Sequence, residues 1–313
     1  MSPRWLTVLA SLSILIATPA AWAFCRATTC NPEASHCSPN QAGCLRDGYP
    51  LFWESSCITV SVQADGAPKA GIDYDAARAT VERAFEAWTS VECPGGGNPS
   101  IHVEVQGPVA CSEAEYNSKQ NNANIVMFHD DSWPYAGKSP DELGFTRLNF
   151  DLDSGALYDA DIELNAVSAK LSVGRMPSPD EIDLDSVVTH EVGHLLGLNH
   201  STETESTLRA GYDNGSIELR TPSADDVAGI CAIYPPNRKP TSDGCEPRHG
   251  FSELCAAEQP EPPVDEAPTT TSETSACSLR ARPNDAHGNG NFALAVALAA
   301  LGVRRARTQP LRP

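Results

Sequence analysis

The 313-residue sequence predicts an α+β fold. Two observations carry this. Five short stretches alternate apolar with polar residues or are rich in β-branched side chains, as strands are. Three longer stretches repeat apolar residues at intervals of three and four, as helices with one buried face do. Their order along the chain is strand, helix, four strands, helix, helix.

Taken in order, residues 24–50 carry four cysteines and little periodicity, and are expected to form a small disulfide-held extension. CITVSVQ at 57–63 is the first strand. Asp73 caps a helix that begins at Tyr74 and buries Ala77, Val81, Ala84, Phe85 and Trp88. A glycine-rich turn at 95–97 follows. SIHVEVQ at 100–106, ANIVMFH at 123–129, LGFTRLNFD at 143–151 and ALYDADIELN at 156–165 are the second to fifth strands, with DLDSG between the last two as a turn. A helix spans 182–197, capped by Asp183. Residues 201–221 form a long polar loop. Ser223 caps the last helix, Asp226 completes a capping-box-like start, and Val227, Ile230 and Ile233 face the core. Pro235-Pro236 end the unit.

The chemistry concentrates at HEVGHLLGLNH, residues 190–200. His190 and His194 are four apart and share one helix face, so both imidazoles can reach one metal ion. Glu191 is rotated off that face and can reach a water instead. Gly197 can take the left-handed conformation that ends a helix, and the chain can then return His200 as a third ligand. Three imidazoles suit zinc and leave its fourth position open, as catalytic sites require. Val187, Val188, Val192, Leu195, Leu196 and Leu198 make the helix apolar around them. A plain core helix with satisfied histidines is the competing reading, but burying His190 and Glu191 without a metal would be costly.

HExxHxxGxxH as it stands here resembles the signature of the metzincin zinc endopeptidases. Ser201 in NHS and the run SADDVAGICAIYP at 223–235 resemble the matrixin branch. The resemblance covers residues 51–236. It implies a twisted five-stranded mixed sheet with three helices and a zinc cleft below the edge strand. The fourth strand would be that edge, and a protein or peptide substrate would lie antiparallel along it, near Gly144, Phe145 and Thr146. A closer likeness is to secreted matrixin-like proteases of myxobacteria, which join this domain to a Cys-rich start and a special C-terminal tail.

The sequence departs from the family pattern in places. Metzincins place a Met beneath the zinc; here Leu208 stands at that position, with Tyr212 matching a Tyr that often follows. Leu has nearly the volume and polarity of Met, so the exchange should cost under about 1.5 kcal/mol. No His lies between 130 and 189, so no second, structural zinc is expected. Asp151, Asp153, Asp159 and Asp161 are candidate calcium ligands, against the simpler reading of DLDSG as a turn. The segment from Phe24 to Cys57 is too short for a separate inhibitory prodomain.

The ends carry export signals. Arg4, the apolar run from Trp5 to Ile16 and Ala21-Trp22-Ala23 read as a signal peptide over 1–23, cleaved before Phe24. There are 11 cysteines and no CxxC pair. If Cys277 belongs to a tail signal, the ten from Cys25 to Cys255 can form five disulfides in an oxidising compartment, with connectivity open. A short Cys-containing segment, 237–256, leads to a Pro-, Glu-, Thr- and Ser-rich tether at 257–276. Residues 277–313 hold Cys277-Ser278, a 12-residue apolar run from Phe292 to Val303 and an arginine cluster. The arrangement resembles the myxobacterial C-terminal sorting tag, implying processing near Cys277, the only membrane association expected, and attachment at the surface of a Gram-negative host. A net charge of −19 argues against nucleic acid as a partner. The chain is expected to be a monomer.

The leading functional reading is a secreted or surface-anchored zinc endopeptidase with Glu191 as general base. The rivals are a metzincin-fold surface protein that binds without cutting, supported by Leu208 alone, and a zinc hydrolase acting on something other than peptides.

Overall fold

All five expected strands and all three helices form in the computed structural model. It describes residues 23–30, 37–40, 43–114, 116, 123–137, 141–240, 242–246 and 273–280. The expected signal peptide up to Trp22, Cys255, most of the expected tether and the residues beyond Arg280 lie outside the described residues. In chain order the elements are β1 (Cys25–Arg26), β2 (Ser55–Val62), α1 (Tyr74–Thr89), β3 (His102–Val105), β4 (Asn124–His129), β5 (Glu142–Phe150), β6 (Leu157–Asn165), β7 (Leu171–Ser172), β8 (Ile182–Asp183), α2 (Leu184–Leu195), β9 (Leu198–Asn199), α3 (Ala224–Ile233), β10 (Ser242–Glu246) and β11 (Glu273–Arg280).

The main sheet is mixed and has seven strands, not five. Strands β2, β4 and β6 pair in parallel, β5 runs antiparallel beside β6, and β3 pairs in parallel with β2. The two additional strands come from the C-terminal side: β10 pairs with β2, and β11 pairs antiparallel along the whole of β5. The fourth strand is therefore not a free edge. An edge strand presents a row of open N–H and C=O groups that any extended segment within reach can satisfy, and residues 273–280 do so here.

The helices start where local chemistry dictates. Asp73 accepts the amide of Ala76 and Asp183 that of Ser186, while Ser223 and Asp226 form a reciprocal capping box. Arg220 donates to both oxygens of the buried Asp183, at 2.6 and 2.8 Å, which charge-assists the cap. Observed α2 is 184–195, two residues shorter at each end than the apolar pattern suggested, because Ile182–Asp183 pairs with β7 and Leu196 is the C-cap.

Helix α2 is buried along its length. Buried polar groups beside it donate to its backbone: Trp88 Nε1 of α1 to the Thr189 carbonyl (2.7 Å), Trp53 Nε1 to that of Leu195 (2.9 Å) and the Tyr234 hydroxyl to that of Leu196 (3.0 Å). The apolar face of α1 is as expected, with Thr80 added.

The N-terminal extension lies against this frame. Strand β1 pairs with β9, Cys25 opposite Asn199, and the amides of Ala23 and Phe24 donate to Asp225 Oδ1. Four disulfides join described residues: Cys25–Cys44, Cys30–Cys37, Cys57–Cys245 and Cys93–Cys231. Cys111 is disulfide-bonded as well. The last two of these pairs close loops of 188 and 138 residues, so they tie β10 to β2 and α3 to the turn that follows α1.

Candidate metal centre

One turn of α2 brings His190 and His194 together, and both are buried. Each imidazole has its Nδ1 on a backbone carbonyl: His190 on Thr207 at 2.7 Å, His194 on Leu198 at 3.0 Å. A proton on Nδ1 leaves Nε2 as the acceptor, so the surrounding backbone selects the metal-binding tautomer. The two Nε2 atoms are 2.9 Å apart, and His190 Nε2 is 3.3 Å from His200 Nε2. Two nitrogens held tetrahedrally at zinc distances sit about 3.3 Å from each other. Burial, with the neighbouring histidines adding to it, holds the pKa of both His190 and His194 well below the ordinary value, so neither carries a proton that would keep a cation out. Two neutral imidazole nitrogens and a third, from half-buried His200, that all lie within 4.8 Å of one another fit a zinc ion.

The third histidine depends on a reversal. Gly197 has φ +94, and a Cβ there would meet the Leu51 carbonyl oxygen at 2.7 Å. The chain turns there, β9 is clamped by β1, and His200 follows. Its neighbour Ser201 donates its hydroxyl to Asp225 (2.8 Å) and its amide to the Leu208 carbonyl (2.9 Å). Leu208 is buried beneath α2: a Cβ on Gly193, between the two helix histidines, would meet Leu208 Cδ2 at 2.8 Å and Trp88 at 2.7 Å. Leu208 thus packs against the helix that carries His190 and His194. The loop carrying it is fixed from α3, where Asp226 accepts the hydroxyl of Ser206 and the amide of Thr207. Tyr212 is buried and accepts the amide of Asp183, at the start of α2.

Glu191 is wholly buried beside the histidines. Its Oε2 accepts the Thr146 hydroxyl at 2.6 Å, and its Oε1 accepts the amide N–H of Leu279 at 3.2 Å. Gly144 lets the carboxylate approach β5, since a Cβ there would be 2.7 Å from Oε1. Burial raises the Glu191 carboxyl to about 8 against the lowering effect of these two donors.

The three expected edge residues all lie on β5, with different roles. Gly144 and Thr146 face Glu191. Phe145 turns to the other side and stacks on Tyr135, ring centroids 4.6 Å apart. The four aspartates do not gather. Asp151 is committed to its own turn, accepting the amides of Asp153 and Ser154 and the hydroxyl of Tyr158. Asp159 accepts from Asn149, and Asp161 from the Ile125 amide. Among the described residues, the metal-ligating side chains that converge are the three histidines and a Cys57–Glu104–Cys245 group whose cysteines are joined as a disulfide. Sequence reasoning did not find the roles of Asp225 and the Thr146 hydroxyl, nor the hold of Asp226 on Ser206 and Thr207 beyond its cap, all of which act through contacts distant in sequence.

The family model described as matrixin, Peptidase_M10, matches residues 52–235 of the 313. The chain belongs to the matrixin family. This matrixin is 30% identical over 192 residues to Matrix metalloproteinase-16 of Mus musculus, covering 60% of the chain and 28% of that protein. It is 35% identical over 115 residues to Metalloendoproteinase 1-MMP of Arabidopsis thaliana, covering 36% of the chain and 28% of that protein. The chain thus spans less than a third of the length of either relative. Among solved structures it is similar to metalloproteinase-II from Bacteroides fragilis, at TM-score 0.30 and 12% identity, over 59% of this chain and 56% of that one. The α+β matrixin fold expected from the sequence is the one this matrixin has.

Proposed function

We propose that this matrixin is a zinc-dependent endopeptidase with His190, His194 and His200 as metal ligands and Glu191 as general base. The observation that carries the reading is the meeting of three imidazole nitrogens with a buried carboxylate beneath a strand that accepts an antiparallel partner. Zinc held there would supply a Lewis acid that makes water nucleophilic near neutral pH and polarises a carbonyl. Glu191 takes the proton of the attacking water and returns it to the leaving amine. Thr146 holds that carboxylate in place, and β5 aligns an extended peptide through its main chain. The substrates are therefore proteins or peptides able to lie extended, and the two rival readings lack a use for this combination of base and strand.

Export is part of the proposal. The N-terminal 23 residues direct secretion, and the tail from Cys277 holds the protein at the cell surface, in keeping with the resemblance to myxobacterial surface proteases. Deleting residues 277–313 should shift the protein to the medium; identical partitioning of both forms would remove the surface assignment.

The enzymatic test uses purified full-length chain. Metal analysis should give about one zinc per chain. Glu191→Ala should keep the metal and slow cleavage of a peptide library by about 10²–10⁴-fold. A parent that holds zinc yet cuts nothing, or a Glu191→Ala chain as fast as the parent, overturns the reading.

A further inference from the structure

Strand β11 occupies the place a substrate would take. It runs antiparallel to β5 from Glu273 opposite Phe150 to Leu279 opposite Gly144. At its end Leu279 is fully buried and packs into the main core. Its backbone N–H points at Glu191 Oε1, 3.2 Å away. In peptide hydrolysis the atom that must receive a proton from the general base is the nitrogen of the bond that breaks. Here that nitrogen already touches that carboxylate, and it belongs to one peptide bond, Ser278–Leu279.

We infer that this matrixin cuts its own chain between Ser278 and Leu279. The inference rests on the endopeptidase reading and adds a substrate to it. One water is consumed. Its oxygen bonds to the Ser278 carbonyl carbon, the C–N bond to Leu279 breaks, and both of the water's protons end on the Leu279 nitrogen, the first passed through Glu191 and the second given up by the new Ser278 carboxyl group. The products are a chain ending in a Ser278 carboxylate and a fragment beginning with a Leu279 α-ammonium; nothing is oxidised or reduced. The geometry favours cutting over mere blocking. A segment that only plugged the cleft need not bring a main-chain nitrogen to the catalytic carboxylate; this one does. The unbroken register along β5, seven residue pairs from Glu273 to Leu279, holds that nitrogen in place. Because Gly144 has no side chain, the carboxylate and the tail backbone come together at the same spot. The apolar run and arginine cluster beyond residue 290 would leave with the fragment.

The test follows full-length, zinc-loaded protein by intact mass and N-terminal sequencing. We expect a fragment starting at Leu279, formed at a first-order rate independent of protein concentration and slowed about 100-fold or more in Glu191→Gln. Leu279→Pro, which lacks the N–H, should stay intact at this bond while still cleaving an unrelated peptide. A second readout needs no activity: in metal-free full-length chain, hydrogen exchange across 273–280 should be slowed at least tenfold, and Leu279→Pro should abolish the slowing. A parent that cuts the unrelated peptide but leaves Ser278–Leu279 whole, or cuts the tail at another bond, overturns this inference and spares the endopeptidase reading. A parent that cuts neither overturns both. Free exchange across 273–280 overturns the seating of the tail.

Discussion

The Thr146 hydroxyl donates to Glu191 Oε2 at 2.6 Å, and so a strand at the rim of the cleft holds the carboxylate that stands beside the three histidines. Thr146 is itself fully buried, and its hydroxyl also lies 3.2 Å from the Glu191 carbonyl. A hydrogen bond to a charged group is worth about 1.5–3 kcal/mol. Thr146→Val keeps the shape and removes the donor. We expect kcat to fall about ten- to a hundredfold, with zinc content and KM nearly unchanged. Measuring rate and bound zinc on one preparation decides it; an unchanged kcat would show that Glu191 is positioned without the Thr146 hydroxyl.

The floor of the site is tight. A methyl on Gly193 meets Trp88 and Leu208 side chains at under 3 Å, and overpacking of this kind costs about 1–3 kcal/mol. Gly193→Ala should lower the unfolding midpoint and weaken zinc binding together, because it pushes on the turn that carries both helix histidines. Leu208→Met, close in volume, should change stability by less than about 1.5 kcal/mol and the rate only slightly. Thermal unfolding of the two variants side by side is the check; a Leu208→Met chain that cleaves far faster than the parent would show that Leu208 cripples the site.

What could be read in the sequence was local. Asp73, Asp183 and Ser223 were legible as caps because a cap acts within three residues of itself. The histidines were legible because four residues make one helical turn and Gly197 marks a reversal. What lay hidden depends on partners far along the chain. Two-residue β9 has no propensity signal and exists because Cys25–Arg26 pairs with it. Residues 273–280 join the end of the tether-like stretch to the start of the tag-like one, and become a strand only through the open hydrogen-bonding edge of β5. The choice of Cys57 for Cys245, across 188 residues, follows from β10 lying beside β2, which spacing does not reveal.

The outer face of the sheet should set the response to acid. Glu163 is buried, which by itself would raise its pKa, but donors from His129 (2.8 Å), Tyr135 (2.7 Å) and Arg147 (3.2 Å) bring the carboxyl below its ordinary 4.5. A carboxyl with a depressed folded pKa adds stability that is fully present above the unfolded value and is lost as pH falls through the folded one. The loss should therefore begin near pH 4.5 and continue below it. Glu163→Gln should be less stable at neutral pH and lose less on acidification than the parent. Parallel acid limbs for parent and variant in chemical denaturation would rule out this carboxyl as their source.

Gly197 offers the sharpest test of how the third ligand is placed. Its φ of +94 is a conformation L side chains rarely adopt, and holding a non-glycine residue in such a region costs about 1–3 kcal/mol. Space adds a second penalty, since a Cβ would be 2.7 Å from the Leu51 carbonyl oxygen, a backbone atom held by the pairing of residues 27 and 51. The backbone cannot relax toward β1, because the Ala27 amide donates to the Gly197 carbonyl at 3.0 Å. Gly197→Ala must therefore shift β9 and carry His200 away from His190 and His194, which remain on an intact helix. Two imidazoles bind zinc far more weakly than three. We expect at least a hundredfold loss of zinc affinity, matching that of His200→Ala, while α2 keeps its helical signal by circular dichroism. If Gly197→Ala instead binds zinc like the parent and only unfolds sooner, the glycine serves the fold, and His200 is brought to the metal by the β1–β9 pairing without it.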